Sequence, residues 1–219
     1  MTYIENIFLC LALPMLLSLL FTSGSPRRFT LFVVLGMASC LLSAYVSSFF
    51  MGRHQCSAVT TAIEIAPVCE EILKLLPLLL YFLIFEPDSH KLTPAAIGIA
   101  VGFATFENVC YLTENGAGSF VFLLIRGMSA GALHLVCGIL TGLALAYVFR
   151  RPWLTCTGTV GILGVCMVLH GLYNLLITAD TGLAAYEQRL LDPDADPFDM
   201  RQVAWLGRTS RPSTAVSTL

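Results

Sequence analysis

Glu70, Glu71 and Lys74 lie in an apolar run that continues to Phe85. Each is a group that hydrocarbon tolerates only beside a partner, in a bundle interior or against a wet cavity. At membrane depth each costs ~3 kcal/mol or more, so their presence points to function rather than anchoring. Three further polar sets recur inside apolar stretches: Glu107 with Asn108 and Tyr111, His134 with Arg126 upstream, and His170 with Asn174. On a helix, residues three or four apart share a face while adjacent residues diverge. Lys74 can therefore reach either carboxylate, but Glu70 and Glu71 cannot point the same way. One carboxylate is expected to work and the other to hold Lys74, whose charge helps a buried base stay ionised. By the same spacing His170 shares a face with Asn174, and Glu107 with Tyr111.

Two imidazoles and one or two carboxylates on successive spans support hydrolysis by either of two routes. They can hold zinc with an open water position, or they can position and deprotonate water directly. No serine elbow and no matched cysteine and histidine set points to a covalent intermediate. An HExxH helix and a phosphate-cradling glycine loop are also missing. Two other classes stay open: a scaffold or immunity-type binding protein whose polar core packs helices or holds a partner, and a transporter that uses the charges as ion sites. The lack of a clear internal repeat counts against the transporter.

These residues need a frame, and composition defines it. Of 219 residues 57% are hydrophobic and only 12% charged, with a mean hydropathy of +0.80. That balance excludes a soluble domain of this size; the net charge of -2 says little about partners, and nothing in the sequence resembles a basic nucleic-acid surface, so no nucleic-acid partner is expected. The expected fold is all-α: a polytopic transmembrane helical bundle of about six spans in the lipid bilayer. The spans are predicted at 5–23, 30–51, 62–85, 95–113, within 120–149, and at 157–177. The first lacks a positive n-region and a cleavage site and reads as a retained span. The stretch 120–149 is too long for one untilted crossing. A short entrant helix up to Arg126 followed by a span from Met128 is expected there, with one tilted helix as the alternative.

Pro67 and Pro77 bracket the charged turn and are expected to bend the helix and admit water beside Glu70. Small residues from Gly127 to Ala132 are expected to let neighbouring helices approach His134. Residues 1–178 form the membrane domain. Residues 179–219, with Asp192, Asp194, Asp196 and Asp199 and a Ser/Thr-rich end, form a solvated tail. The eight cysteines are scattered and read as small buried hydrophobes. Arg27, Arg28, Lys91, Arg150 and Arg151 fall in alternate loops, which the positive-inside rule assigns to the cytoplasm.

The set Glu70-Glu71-x-x-Lys74, Phe106-Glu107-Asn108-x-x-Tyr111, His134-x-x-x-Gly138 and His170-x-x-x-Asn174, over about residues 64–176, resembles the PrsW family of intramembrane proteases. That family sits in a wider superfamily with the CAAX prenyl endopeptidases and bacteriocin-processing or immunity proteins. The resemblance implies hydrolysis of a peptide bond in a membrane-anchored protein or peptide, with a single-span anti-sigma factor as the expected substrate type. It also implies a multi-pass protein of the bacterial cytoplasmic membrane. Carried over, Glu70 is the general base, Glu71 partners Lys74, and Glu107 is a further site carboxylate. His134 and His170 orient water or support the oxyanion or a metal, and Asn174 polarises the substrate carbonyl. If zinc is used, Glu107, His134 and His170 are its candidate ligands; metal-free water activation is the alternative. Tyr111 stands where the prenyl-peptidase branch leads one to expect a histidine, which points away from prenylated substrates.

Overall fold

A computed structural model describes residues 24–115 and 120–190, together with Phe8, Leu11, Ala12, Leu16 and Leu19. Among the described residues every regular element is helical. The long ones are α1 (Gly24–His54), α2 (Ala66–Phe85), α3 (Ser89–Asn115), α4 (Phe120–Val148) and α5 (Thr155–Leu190). Four segments are long and apolar enough to cross a membrane: Gly24–His54, His90–Thr113, Leu124–Val148 and Thr155–Ile177. The protein is therefore an integral membrane helical bundle. Helix α2 has 20 residues, the length of a crossing, and carries Glu70, Glu71 and Lys74 within five residues of its apolar run. The first predicted span, 5–23, falls almost wholly outside the described residues, so four spans stand where about six were expected.

One expectation changes. Residues 120–148 form one continuous helix, without the entrant break predicted at Arg126. No proline interrupts this stretch, and Ser129 Oγ donates to the Arg126 carbonyl at 3.2 Å inside the same helix. Arg126 is not a helix end but a side chain directed at α3. At the other end of the chain, α5 runs to Leu190, while its apolar stretch ends at Ile177. The aspartate run at 192–199 lies outside the described residues.

Helix α3 is the centre of the bundle. Leu92, Ala95, Ala96, Ile99, Ala100, Phe103, Ala104 and Phe106 are all buried along it, packed between α1 and α4. With lipid tails as apolar as the side chains, helices associate here by close packing, which small residues permit. A Cβ on Gly102 would lie 1.9 Å from the Val33 carbonyl oxygen, and one on Gly36 would lie 2.0 Å from that of Ile99. The α1–α3 crossing therefore brings two backbones into contact. On the other face, a Cβ on Gly138 would meet the Ala100 Cβ at 2.7 Å. Of the small residues expected to serve this purpose, Gly131 does not, since a Cβ there meets nothing within 4 Å. Gly102→Ala is expected to destabilise the fold by ~1–3 kcal/mol, read as a lower thermal midpoint in detergent. Gly131→Ala should be neutral or slightly stabilising, because alanine is the better helix former.

Between α1 and α2 the chain turns through a helical turn, Ala58–Thr60, and a π-helical stretch, Thr61–Ile65. The wide turn is explained by Pro67. In π geometry the Ala66 N–H reaches back to the Thr61 carbonyl, and the next donor in that series would be residue 67, which has no N–H. The Ala62 carbonyl is thereby left without its helical partner, and Asn174 Nδ2 of α5 donates to it at 2.8 Å. Gly171 of α5 faces the same stretch, its Cβ position 3.1 Å from the Ile63 carbonyl oxygen. Helix α2 ends at Glu86, which adopts a left-handed conformation (φ 44°) and returns its N–H to the Phe82 carbonyl, with Pro87 preventing continuation.

Candidate active site

Four helices contribute side chains to one buried cluster: Glu70, Glu71 and Lys74 from α2, Glu107 and Asn108 from α3, Arg126 and His134 from α4, and His170 from α5. Lys74 Nζ lies 2.6 Å from Glu71 Oε1 and 3.0 Å from His134 Nδ1, with both ion-pair members buried. Of the two carboxylates within its reach, Lys74 hydrogen-bonds Glu71. An ammonium only donates, so His134 Nδ1 accepts, and its proton is on Nε2. That Nε2–H donates to Glu107 Oε2 at 2.5 Å. Both nitrogens of His134 are thus engaged, and its ring also lies 5.0 Å from that of Phe103.

Glu107 is held in turn from the other side. Arg126 Nη2 donates to Glu107 Oε1 at 2.9 Å and Nη1 to Asn108 Oδ1. The guanidinium also covers the Tyr111 ring, 3.8 Å from its centroid. Asn108 Nδ2 completes the clamp on the Gly127 carbonyl at 3.4 Å. Arg126 is the residue whose part in the site spacing alone did not define. The signal for it was present, a lone arginine inside an apolar stretch, which calls for a carboxylate across the bundle.

His170 is oriented from α2. Its Nδ1–H donates to Glu71 Oε1 at 2.9 Å, which leaves the lone pair of the neutral ring on Nε2. That nitrogen stands 3.6 Å from Glu70 Oε2, too far for a direct hydrogen bond. Glu70 Oε2 is buried and has no hydrogen-bond partner among the described residues. The two imidazoles meet edge to face, 5.0 Å between centroids. The site thus contains a carboxylate oxygen and an imidazole nitrogen facing one another, with no donor from another described residue between them. Such a pair suits a water that donates to both, or a cation that both ligate.

One donor atom each from Glu70, His134 and His170 fall within 4.8 Å of one another. Two histidines and a glutamate are a recurrent catalytic zinc set, and ligand atoms ~2.0–2.1 Å from a tetrahedral ion are ~3.3 Å apart. The Glu70–His170 spacing is near that value. His134 joins only if its ring gives up Lys74 or Glu107. Glu107, expected among the ligands, directs one oxygen to Arg126 and the other to His134. A second group, Glu71, Cys137 and Cys166, is equally compact. Its carboxylate already serves Lys74 and His170, and each thiol points at the other's backbone carbonyl, at 3.9 and 3.7 Å. The seven described cysteines are all free.

The cluster sits at one level. With a rise of 1.5 Å per residue, Glu70 is ~23 Å from Phe85, Glu107 ~26 Å from His90, His134 ~21 Å from Val148 and His170 ~23 Å from Thr155. Those four reference points all adjoin the end of the bundle that carries Arg28, Lys91 and Arg150, where neighbouring recesses share their side chains. The site is thus set back from that end by a similar distance along all four helices.

No curated protein and no solved structure matches the chain. The family described as PrsW family intramembrane metalloprotease matches residues 25–191, a stretch that contains all of the clustered side chains. A buried cluster of glutamates and histidines assembled from successive membrane helices, in a chain matched over that length, identifies this protein as a member of the PrsW family of intramembrane proteases.

Proposed function

We propose that the protein hydrolyses a peptide bond in a membrane-anchored protein, with Glu70 as the general base acting on water held between Glu70 Oε2 and His170 Nε2. The observation that carries this reading is the unpartnered, buried Glu70 Oε2 facing the lone pair of His170 across 3.6 Å. A water there loses a proton to Glu70 as its oxygen attacks the substrate carbonyl carbon. The C–N bond then breaks, and the same proton passes to the departing nitrogen, so that Glu70 ends each cycle as it began. His170 orients the water, and Glu71 keeps the His170 lone pair turned toward Glu70.

His134 closes the site from α4, fixed between Lys74 and Glu107, with Arg126 holding Glu107. Asn174 is a positioning residue that pins α5 to the π-helical entry of α2. A divalent metal held by Glu70, His170 and, after release of one of its partners, His134 would acidify bound water and polarise the carbonyl. With Glu107 behind His134, we read Glu107 as a support rather than a ligand.

Adding α2 and the run 5–23 to the four apolar helices makes six spans, and the basic end faces the cytoplasm by the positive-inside rule. The host membrane we propose is the bacterial cytoplasmic one. The depth of the cluster then sets cleavage in the leaflet away from the cytoplasm. Full-length protein in proteoliposomes, given single-span substrates with a marker at each end, should release fragments whose new termini map to the non-cytoplasmic third of the span. Cleavage mapped to the cytoplasmic third, or no cleavage by protein that is folded, would overturn this placement.

A further inference from the structure

At the basic end of the bundle, α1 and α2 leave between them a recess of about 500 Å3, walled by Leu31, Leu35, Leu80 and Ile84, with Arg28 and Lys91 also lining it. This is the size range of built ligand pockets. A second recess of about 240 Å3 shares Arg28 and Lys91 with the first and adds Ser25 and His90. Tyr81 lines both and packs its ring against Phe32 at 4.9 Å between centroids. An aromatic with an apolar body and a hydroxyl tip suits the level where headgroups meet tails.

Any apolar surface of this bundle is wetted by lipid tails. Here fixed positive charge, from Arg28 and Lys91, lies beside an apolar groove. Arg28 is exposed and has no ion-pair partner among the described residues. Lys91 donates to Asp88 Oδ2 at 2.6 Å, a hydrogen bond that draws the Asp88 carboxyl below its ordinary value. Both members of that pair are substantially exposed, so it is weak and Lys91 can be shared. Glu86, the other acidic group of the loop, lines neither recess.

We infer that the joined recesses are a binding site for one anionic phospholipid, with its phosphate on Arg28 and Lys91 and an acyl chain in the groove between α1 and α2. Basic pockets between membrane helices on the cytoplasmic side hold such headgroups by charge-assisted hydrogen bonds that a zwitterionic lipid satisfies less well. Asp88 opposes the ligand by competing for Lys91.

The test is native mass spectrometry of delipidated full-length protein, titrated with phosphatidylglycerol or with phosphatidylcholine of the same acyl chains. Phosphatidylglycerol should bind at least tenfold more tightly. Arg28→Gln with Lys91→Gln should remove that preference, and Asp88→Asn should strengthen it. Arg53→Gln, in the last turn of α1 and outside both recesses, should leave it unchanged. Inorganic phosphate should displace the lipid no better than chloride at equal ionic strength. Equal binding of the two lipids, a preference that survives the double substitution, or displacement specific to phosphate would each overturn the inference. If the double variant does not fold, the wild-type comparison and the opposite effect of Asp88→Asn still decide it.

Discussion

Glu70→Gln is expected to lower the rate of substrate cleavage by ~10²–10⁴-fold, the usual contribution of a positioned general base, while the protein stays folded. The substitution keeps size and shape but removes the ability to take a proton from water. Its structural cost is small because Glu70 Oε2 has no hydrogen-bond partner among the described residues. The thermal midpoint should stay level or rise, since a buried carboxylate facing an imidazole lone pair gives way to a neutral amide. Glu71→Gln is the instructive contrast. That residue supports both Lys74 and His170, so the change should cost stability as well as activity. Adjacent glutamates in one helical turn thus answer differently to the same substitution, as measured by cleavage rate and thermal unfolding on the same preparations.

Lys74→Met carries the largest expected loss of stability. Lys74 and Glu71 are both buried, and no other lysine or arginine among the described residues is bonded to Glu71. Taking away one member of a buried ion pair leaves an uncompensated charge, a loss of ~3–5 kcal/mol. His134 also loses the donor on its Nδ1 and with it the fixed position of its Nε2 proton. The double variant Glu71→Gln with Lys74→Met should regain much of the stability, because no charge is left alone, but not the activity, because His170 and His134 have lost what oriented them. Unfolding of the four species in a double-mutant cycle reads the coupling directly. Additive losses would mean that the two groups do not act as a pair in the folded protein.

The convergence of Glu70, Glu71, Glu107, His134 and His170 was legible in the sequence because hydrocarbon leaves ionisable groups few places to go. Several apolar spans with polar turns at matching depths can satisfy them only by meeting. The Glu71–Lys74 pair was legible as one of two options through its three-residue spacing. Spacing alone does not choose between Glu70 and Glu71, because the choice depends on how α2 is rotated against α4 and α5; the family resemblance assigns Glu71 to Lys74, and that bond is present. Arg126 illustrates the same limit. Its local setting suggested a helix break, yet its bond to Glu107, nineteen positions away, fixes it within a continuous helix. Pro67 was read as a kink; the π-helical turn before it, and the carbonyl that Asn174 answers, follow from which neighbour is present to take up a lost hydrogen bond. Gly36 and Gly102 were passed over because a glycine in an apolar helix marks a crossing only once its partner backbone is known.

The measurement that bears most directly on the site is an experimental structure of the active protein, with anomalous scattering recorded at the zinc edge, at a resolution that shows ordered water. A water or metal peak is expected within ~2–3 Å of both Glu70 Oε2 and His170 Nε2, with Glu71 bonded to Lys74 and His170. A Glu70 side chain turned away from His170, or a protein donor filling the gap between them, would contradict it.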